Sequence, residues 1–146
     1  MDEEKNPMND SQKLQLLLYK IQSQQGTLQE LYKQLALVER SLSELEDTIA
    51  AIEEIPKTKE GEALVPVGLG IFVKAELLEK NKFLVSVGSD IFLDKTAAEA
   101  KEYLEAQKGR IRRNHELMNA QIKKIQMDLN SSTKEAEGLY VKLQGK

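Results

Sequence analysis

The sequence predicts a mainly α-helical protein with a small β region, in which a long antiparallel coiled-coil hairpin carries two central β-hairpins. Two heptad stripes of nearly equal length flank a short segment of β-type sequence, and this arrangement predicts the helical hairpin. A nine-residue motif that occurs twice within the short segment predicts the β-hairpins. Helices of matched length joined by a compact connector bury their stripes against each other, which gives an antiparallel pair.

The composition supports a coiled coil and disfavours several other classes of protein. Of the 146 residues, 31% are charged and only 5% are aromatic, with no tryptophan. The net charge of −3 argues against a dedicated nucleic-acid binder. The chain has no cysteine, and therefore no disulfide or thiolate metal site. Because the start is acidic and no apolar run approaches the ~18 residues of a membrane span, we expect a cytoplasmic protein without a signal peptide.

The first helix is expected at residues 10–55, after a polar N-terminal lead at residues 1–9 that we expect to be disordered. Residues 9–11 (Asn-Asp-Ser) are all good N-cap types, so the helix is expected to begin there. Pro56 disfavours helix in the residue before it, so the helix is expected to end near residue 55. A charged linker is expected at residues 56–62. Eleven of the twelve positions in the first stripe are apolar, and the stripe consists of Leu14, Leu17, Ile21, Gln24, Leu28, Leu31, Leu35, Val38, Leu42, Leu45, Ile49 and Ile52.

The second helix is expected at residues 95–144. Thr96 and Glu99 have the spacing of a capping box, and Gly145 follows the last expected turn. Nine of the twelve positions in the second stripe are apolar, and the stripe consists of Leu104, Lys108, Ile111, His115, Met118, Ile122, Ile125, Leu129, Ser132, Ala136, Leu139 and Leu143. If Leu14 lies opposite Leu143, Gln24 falls within a turn of Ser132 and His115 falls beside Leu42, so one polar layer would fix the register.

The segment at residues 63–94 is expected to form two consecutive β-hairpins. It contains the motif V-x-V-G-x-x-I-F-aliphatic at residues 65–73 and again at residues 85–93. A Gly and a short step between two β-rich runs predict a tight turn. The strands are expected at residues 63–68, 71–78, 82–88 and 91–94.

Two hairpins are too few strands to bury an apolar sheet face, and the helix stripes are already used on each other. The sequence therefore implies an obligate oligomer in which sheets from several chains close together. The residues expected at this assembly surface are Val65, Val67, Ile71, Val73, Val85, Val87, Ile91 and Leu93.

Apolar residues in excess of the stripes occur near the free end of the helical hairpin, which we call the tip. They either close the end of the hairpin or form an exposed contact surface, which soluble proteins seldom keep without a partner. The residues expected at this surface are Leu14, Leu16, Leu17, Leu18, Tyr19, Leu139, Tyr140, Val141 and Leu143.

The chain carries no nucleotide-binding, metalloprotease or nucleophile-elbow motif, so we expect no catalytic residues, no cofactor and no enzyme activity. The single histidine, His115, has no second ligand, and a packed imidazole is expected instead of a metal site. The basic cluster at residues 108–113 could contact phosphates, but acidic residues flank it on the same helix.

The segments at residues 62–75 (EALVPVGLGIFVKA) and 85–88 (VSVG) resemble the α-type subunit of archaeal-like prefoldins. The β segment is the specific part of this resemblance, whereas the helices match in length and heptad character. The resemblance implies that two copies join four β-type subunits through a double β-barrel platform from which six coiled-coil arms extend. It also implies capture of unfolded polypeptides at the arm tips without ATP, and their delivery to a group II chaperonin.

These observations together predict an ATP-independent chaperone subunit that contacts apolar segments of non-native clients. One alternative is a structural coiled-coil protein that builds scaffolds or filaments through its β-hairpins. A second is a nucleic-acid-associated coiled coil that uses residues 108–113.

Overall fold

The computed structural model describes residues 9–145, and it contains two long helices and four strands. A 3₁₀ turn at Ile55–Lys57 and a linker join the first helix to the strands. The elements are α1 (Asp10–Glu54), β1 (Glu62–Gly68), β2 (Ile71–Glu76), β3 (Lys82–Gly88), β4 (Ile91–Thr96) and α2 (Ala97–Gln144). The predicted fold class, mainly helical with two central β-hairpins, is confirmed. The disordered lead expected at residues 1–9 lies, apart from Asn9, outside the described residues.

Both long helices begin with a reciprocal capping box, which satisfies amide groups that have no partner inside the helix. At α1, the Gln12 N–H donates to Asn9 Oδ1 at 2.8 Å, and the Asn9 N–H donates to Gln12 Oε1 at 3.3 Å. At α2, the Glu99 N–H donates to Thr96 Oγ1 and the Thr96 N–H donates to Glu99 Oε1, both at 3.2 Å. The sequence pattern therefore placed the start of α2 correctly.

The two heptad stripes form the buried face of each helix. All twenty-four stripe positions are buried or half-buried, and most other positions of both helices are exposed. Chain contacts divide the protein into a helical unit, with residues up to Glu39 and from Arg113 onward, and a β-containing unit, Arg40–Arg112. The hydrophobic core of the helical unit contains Leu28, Leu31, Leu35, Ile122, Ile125 and Leu129.

The packing of the stripes is compatible with the predicted register. Ile21 and Ala136, whose numbers sum to the predicted 157, line one groove. The hydrogen bonds and ion pairs that cross between α1 and α2 in the described residues join numbers that sum to 148–158, because long polar side chains reach along the helix axis. Gln24, for example, bonds to Asp128 outside the stripe, and His115 Nε2 lies 3.2 Å from Glu39 Oε1.

The four strands form two separate antiparallel hairpins, β1–β2 and β3–β4. Strand β2 ends at Glu76 instead of residue 78, because its pairing ends at Glu62 and the next amide, Leu77 N–H, donates to Gly61 O at 2.6 Å. Strand β4 continues to Thr96 instead of residue 94, because Lys82 at the start of β3 pairs with it.

Both hairpin turns have two central residues with positive φ, the geometry that matches strand twist. The central residues are Leu69 and Gly70 in the first turn, and Ser89 and Asp90 in the second. Leu69 has the least favourable backbone conformation of these four residues, because a residue with a bulky side chain rarely adopts a φ of 50°. The glycine that both copies of the nine-residue motif share, Gly68 and Gly88, also has positive φ and lies where the strand register shifts, which explains why both copies have a glycine there.

None of the helices in the described part of the chain is long and apolar enough to cross a membrane.

The capping box of α2 predicts a pH-dependent stability. The hydrogen bonds from the backbone and side chain of Thr96 hold the pKa of Glu99 below its ordinary value of 4.5. A carboxylate with a lowered pKa stabilises the fold fully above that ordinary value, and the contribution is lost as the pH falls through the folded-state pKa. Glu99→Gln keeps a cap acceptor but does not titrate. We expect its melting temperature to fall less than that of the parent between about pH 6 and about pH 3.

Circular dichroism at several pH values measures this difference. The matched control is Glu102→Gln, an exposed position one turn further along α2. Equal pH responses of the parent and Glu99→Gln would contradict the assignment.

Candidate functional site

An apolar groove of about 570 Å³ lies in the helical unit, where α1 begins and α2 ends. The stripe residues Leu14, Ile21 and Ala136 contribute buried or half-buried surface to it. The walls include three side chains that are more than half exposed: Leu18, Tyr140 and Val141. The remaining lining residues are Gln25, Thr133 and Glu137. A mostly apolar concave surface with a few polar groups at its margin is typical of a binding site.

The structure brings together four of the nine residues expected at the tip. Leu14, Leu18, Tyr140 and Val141 line the groove. Among the other five, the stripe residues are half-buried in the helix pair, namely Leu17, Leu139 and Leu143. The remaining two, Leu16 and Tyr19, are exposed but do not line the groove. These two therefore belong to the apolar surface of the tip without contributing to its concave part.

Sequence reasoning missed Ile21 and Ala136 as groove residues, although both occur in the predicted stripes. The signal that could have found them is the size of Ala136, because a small residue at a core position leaves space that a larger side chain would fill. A stripe that contains one small residue among large ones predicts a depression in the surface at that level. The wall residues Leu18 and Tyr140 flank such a depression here.

Charged groups lie close to the groove at the surface of the same unit. Lys142 Nζ is 3.1 Å from Asp10 Oδ2, and Lys20 Nζ is 3.6 Å from Asp128 Oδ2. Both members of the Lys20–Asp128 pair are about half exposed, so this pair contributes little to stability, whereas the side chain of Asp10 is only 22% exposed. Glu137 lines the groove itself. The site therefore combines an apolar centre with charged groups at its margin.

A second apolar surface lies on the β-hairpins of the β-containing unit. Seven of the eight residues expected at the assembly surface are exposed, and Val85 is half-buried. Cross-strand pairing places Val65 opposite Val73 and Val85 opposite Leu93, so these side chains share a face. The opposite faces are mixed: they carry charged residues such as Lys74 and Asp94, and they also expose large apolar side chains, a feature that the sequence analysis missed, namely Leu64, Phe72, Leu84 and Phe92.

The second hairpin contacts α2, and the segment between the two hairpins contacts the linker. The Tyr103 hydroxyl donates to Ser86 O at 3.5 Å, and Lys95 Nζ lies 5.8 Å from the centre of the Tyr103 ring. In the segment between the hairpins, Lys80 Nζ donates to Thr58 O at 2.8 Å. These contacts leave the large apolar side chains of the hairpins exposed.

Two polar residues of the second stripe, Lys108 and His115, lie beside acidic side chains of α1. His115 Nε2 lies 3.2 Å from Glu39 Oε1, and Lys108 Nζ lies 3.5 Å from Glu46 Oε1. Arg112 also reaches Glu46, at 3.6 Å, so an acidic partner lies beside part of the basic cluster at residues 108–113. No group of three or more His, Asp or Glu residues in the described part of the chain could hold a metal ion.

Comparison with known proteins identifies relatives across most of the chain. The family model described as Prefoldin subunit matches residues 24–142. Prefoldin subunit alpha of Methanobrevibacter smithii is 31% identical over 140 residues, which cover 94% of each protein. Prefoldin subunit alpha of Thermofilum pendens is 36% identical over 81 residues, or 55% of this chain and 63% of the relative.

The fold is also similar to that of a solved structure. A filamentous PFD from Methanocaldococcus jannaschii, determined by cryo-EM, matches with a TM-score of 0.68 at 20% sequence identity. The match covers 79% of this chain and 96% of the other. The similarity therefore extends over the helices and hairpins of nearly the whole related chain.

Proposed function

The chain belongs to the prefoldin family as an alpha-type subunit, and we propose that it is an ATP-independent holdase subunit that captures unfolded polypeptides at its tip. The family is a chaperone family, and its alpha subunits assemble into oligomeric complexes. The observation that carries the proposal is the groove at the end of the helical unit, where Leu18, Tyr140 and Val141 are more than half exposed although the coiled coil does not require them. We propose that these side chains contact apolar segments of the client.

The shape of the groove suits weak and unspecific contacts. It is open and apolar, with few polar groups that could select one sequence over another. A single contact of this kind binds weakly, but several arms that hold one client raise the effective affinity by a factor of about 10² to 10⁴. Binding of this type consumes no nucleotide, because burial of apolar surface supplies the free energy. We propose no catalytic step and no cofactor.

Assembly would supply the several arms. Both faces of both hairpins expose large apolar side chains, and two-stranded sheets do not persist in water on their own. We propose that two copies of this chain join four β-type subunits, that the hairpins form the shared platform, and that the client passes to a group II chaperonin. A cytoplasmic location follows from the same proposal.

A scaffold built through the β-hairpins is the alternative function that the sequence also allows. It uses the same apolar hairpin faces but gives no role to the groove. Suppression of client aggregation without ATP distinguishes the two, because a scaffold has no need of it.

The assembly proposal predicts the effect of charges on the hairpin faces. Val73→Asp or Val87→Asp would place an unpaired carboxylate in a buried interface, at a cost of several kcal/mol. We expect light scattering to show smaller species that retain a helical circular dichroism spectrum. The control Leu37→Asp makes a similar change at an exposed helical position and should leave the native mass unchanged. A native mass that neither hairpin variant alters would show that the hairpins are not the interface.

The client proposal predicts different effects from two matched sets of three substitutions. Replacing Leu18, Tyr140 and Val141 by Gln removes the groove walls and leaves both stripes intact. We expect suppression of aggregation of an unfolded model protein to weaken by at least about tenfold, because each buried apolar side chain is worth ~1.5–3 kcal/mol.

The control set replaces three helical side chains that are equally exposed but lie outside the groove: Leu37, Leu117 and Met127. It should retain nearly full activity. Equal losses in the two sets would show that general apolar exposure, not the groove, holds the client. Full activity of an assembled groove variant would place client binding elsewhere.

A further inference from the structure

Two helical segments of unfavourable composition face each other in the helical unit. Residues 23–27 of α1 read Ser-Gln-Gln-Gly-Thr, and residues 130–133 of α2 read Asn-Ser-Ser-Thr. Gln25 and Thr133 line the same groove, which shows that the segments lie at one level. Gly, Ser, Thr and Asn are weak helix formers. Three of the five residues in the α1 segment and all four in the α2 segment are of these types, so both helices are locally weak at the same level.

The core between these segments is polar. Gln24 is the one polar position of the first stripe. Its Nε2 donates to Asp128 Oδ2 at 2.7 Å. Its Oε1 is buried and has no hydrogen-bond partner in the described part of the protein. Ser132 is only 4% exposed. A buried acceptor without a partner costs more than the bond it could have made. The apolar stripes are therefore interrupted where local helix formation is also weakest.

Side-chain bonds to the helix backbone occur at the same level in both helices. Thr27 Oγ1 donates to Ser23 O at 3.1 Å, and Thr133 Oγ1 donates to Leu129 O at 2.8 Å. Bonds of this kind compete with the regular helix pattern and favour bending. On the side of this level that lies away from the helix ends, Leu28, Leu31 and Ile122 form a continuous apolar cluster.

We propose that residues 23–27 and 130–133 form a flexible joint, about which the end segments at residues 10–22 and 134–144 open together while the cluster around Leu28 stays closed. Since Leu18 and Tyr140 lie on the two end segments, opening separates the walls of the groove. The joint would let one groove accept client segments of different size. That use rests on the proposed function, whereas the joint itself does not.

Hydrogen exchange of the full chain, in the assembly in which it purifies, tests the joint without any client. We expect a step in protection: amides at residues 10–22 and 134–144 exchange at one common faster rate, and amides from Leu28 to Ile52 exchange much more slowly. Simple fraying from the helix ends would instead give protection that rises gradually along each end segment. A gradual rise, or equal protection on both sides of the joint, would overturn the proposal.

Two glycine substitutions provide a matched pair. Gly26 lies in the joint and Gly109 lies elsewhere in the long helices, and an added Cβ would meet open space at either position. Gly26→Ala should slow exchange of both end segments about fivefold, since Ala favours helix over Gly. Gly109→Ala should leave their exchange unchanged. An equal effect of the two variants, or no effect of Gly26→Ala, would overturn the proposal.

A third variant tests the polar core. Gln24→Leu removes the buried acceptor and completes the apolar stripe of α1. We expect it to slow exchange of both end segments, including residues 134–144 on the helix that carries no substitution. Slower exchange of the α1 segment alone would contradict opening of the two segments as one body.

Discussion

The rest of the structure depends on the mutual burial of the two heptad stripes. Each helix uses its apolar stripe on the other helix, and the stripe positions hold the buried apolar residues of both units with the exception of Ala100. A two-helix pair has no further layer, so nothing remains to cover any apolar residue outside the stripes. Exposed apolar residues off the stripes are therefore a direct consequence of this architecture. Some of them are scattered along the helices, such as Leu37, Leu117 and Met127, whereas others are grouped at the groove and on the hairpins, the two surfaces that we propose to contact partners.

In the hairpins, the backbone structure is well defined although most of the apolar side chains are exposed. Cross-strand hydrogen bonds, two-residue turns and a repeated motif suffice to define each hairpin. The first turn even tolerates Leu69 at positive φ. The free energy for keeping such strands, however, has to come from covering their side chains, and more than half of the surface of Leu64, Ile71 and Phe72 is exposed. Local geometry thus gives hairpins with well-defined faces, and the proposed assembly would provide the burial.

Periodic features were predictable from the sequence, whereas features set by single side chains were not. All stripe positions, both hairpins and the capping box of α2 follow from spacing alone. Apolar periodicity alone does not select one register, because sliding one stripe by three or four residues still places apolar residues against apolar residues. The contact of Gln24 with Asp128 was not predicted, since Asp128 lies outside the stripe and carries no periodic signal. The groove was only half predicted for a similar reason: its position depends on the small volume of Ala136.

The groove lies next to the polar core position Gln24, and this proximity affects how stably the helices pair at the groove. An uninterrupted apolar stripe would maximise the stability of the helix pair and hold the groove walls at one fixed distance. A buried amide with one unsatisfied atom gives up part of that stability, a cost that a polar core position also imposes in coiled coils whose register it specifies. Because the cluster around Leu28 and Ile122 is unaffected, the cost is confined to the end of the unit. If the groove binds many unrelated apolar segments, as we propose, adaptable walls would serve it better than rigid complementarity, and the proposed joint would separate the adaptable part from the part that maintains the fold.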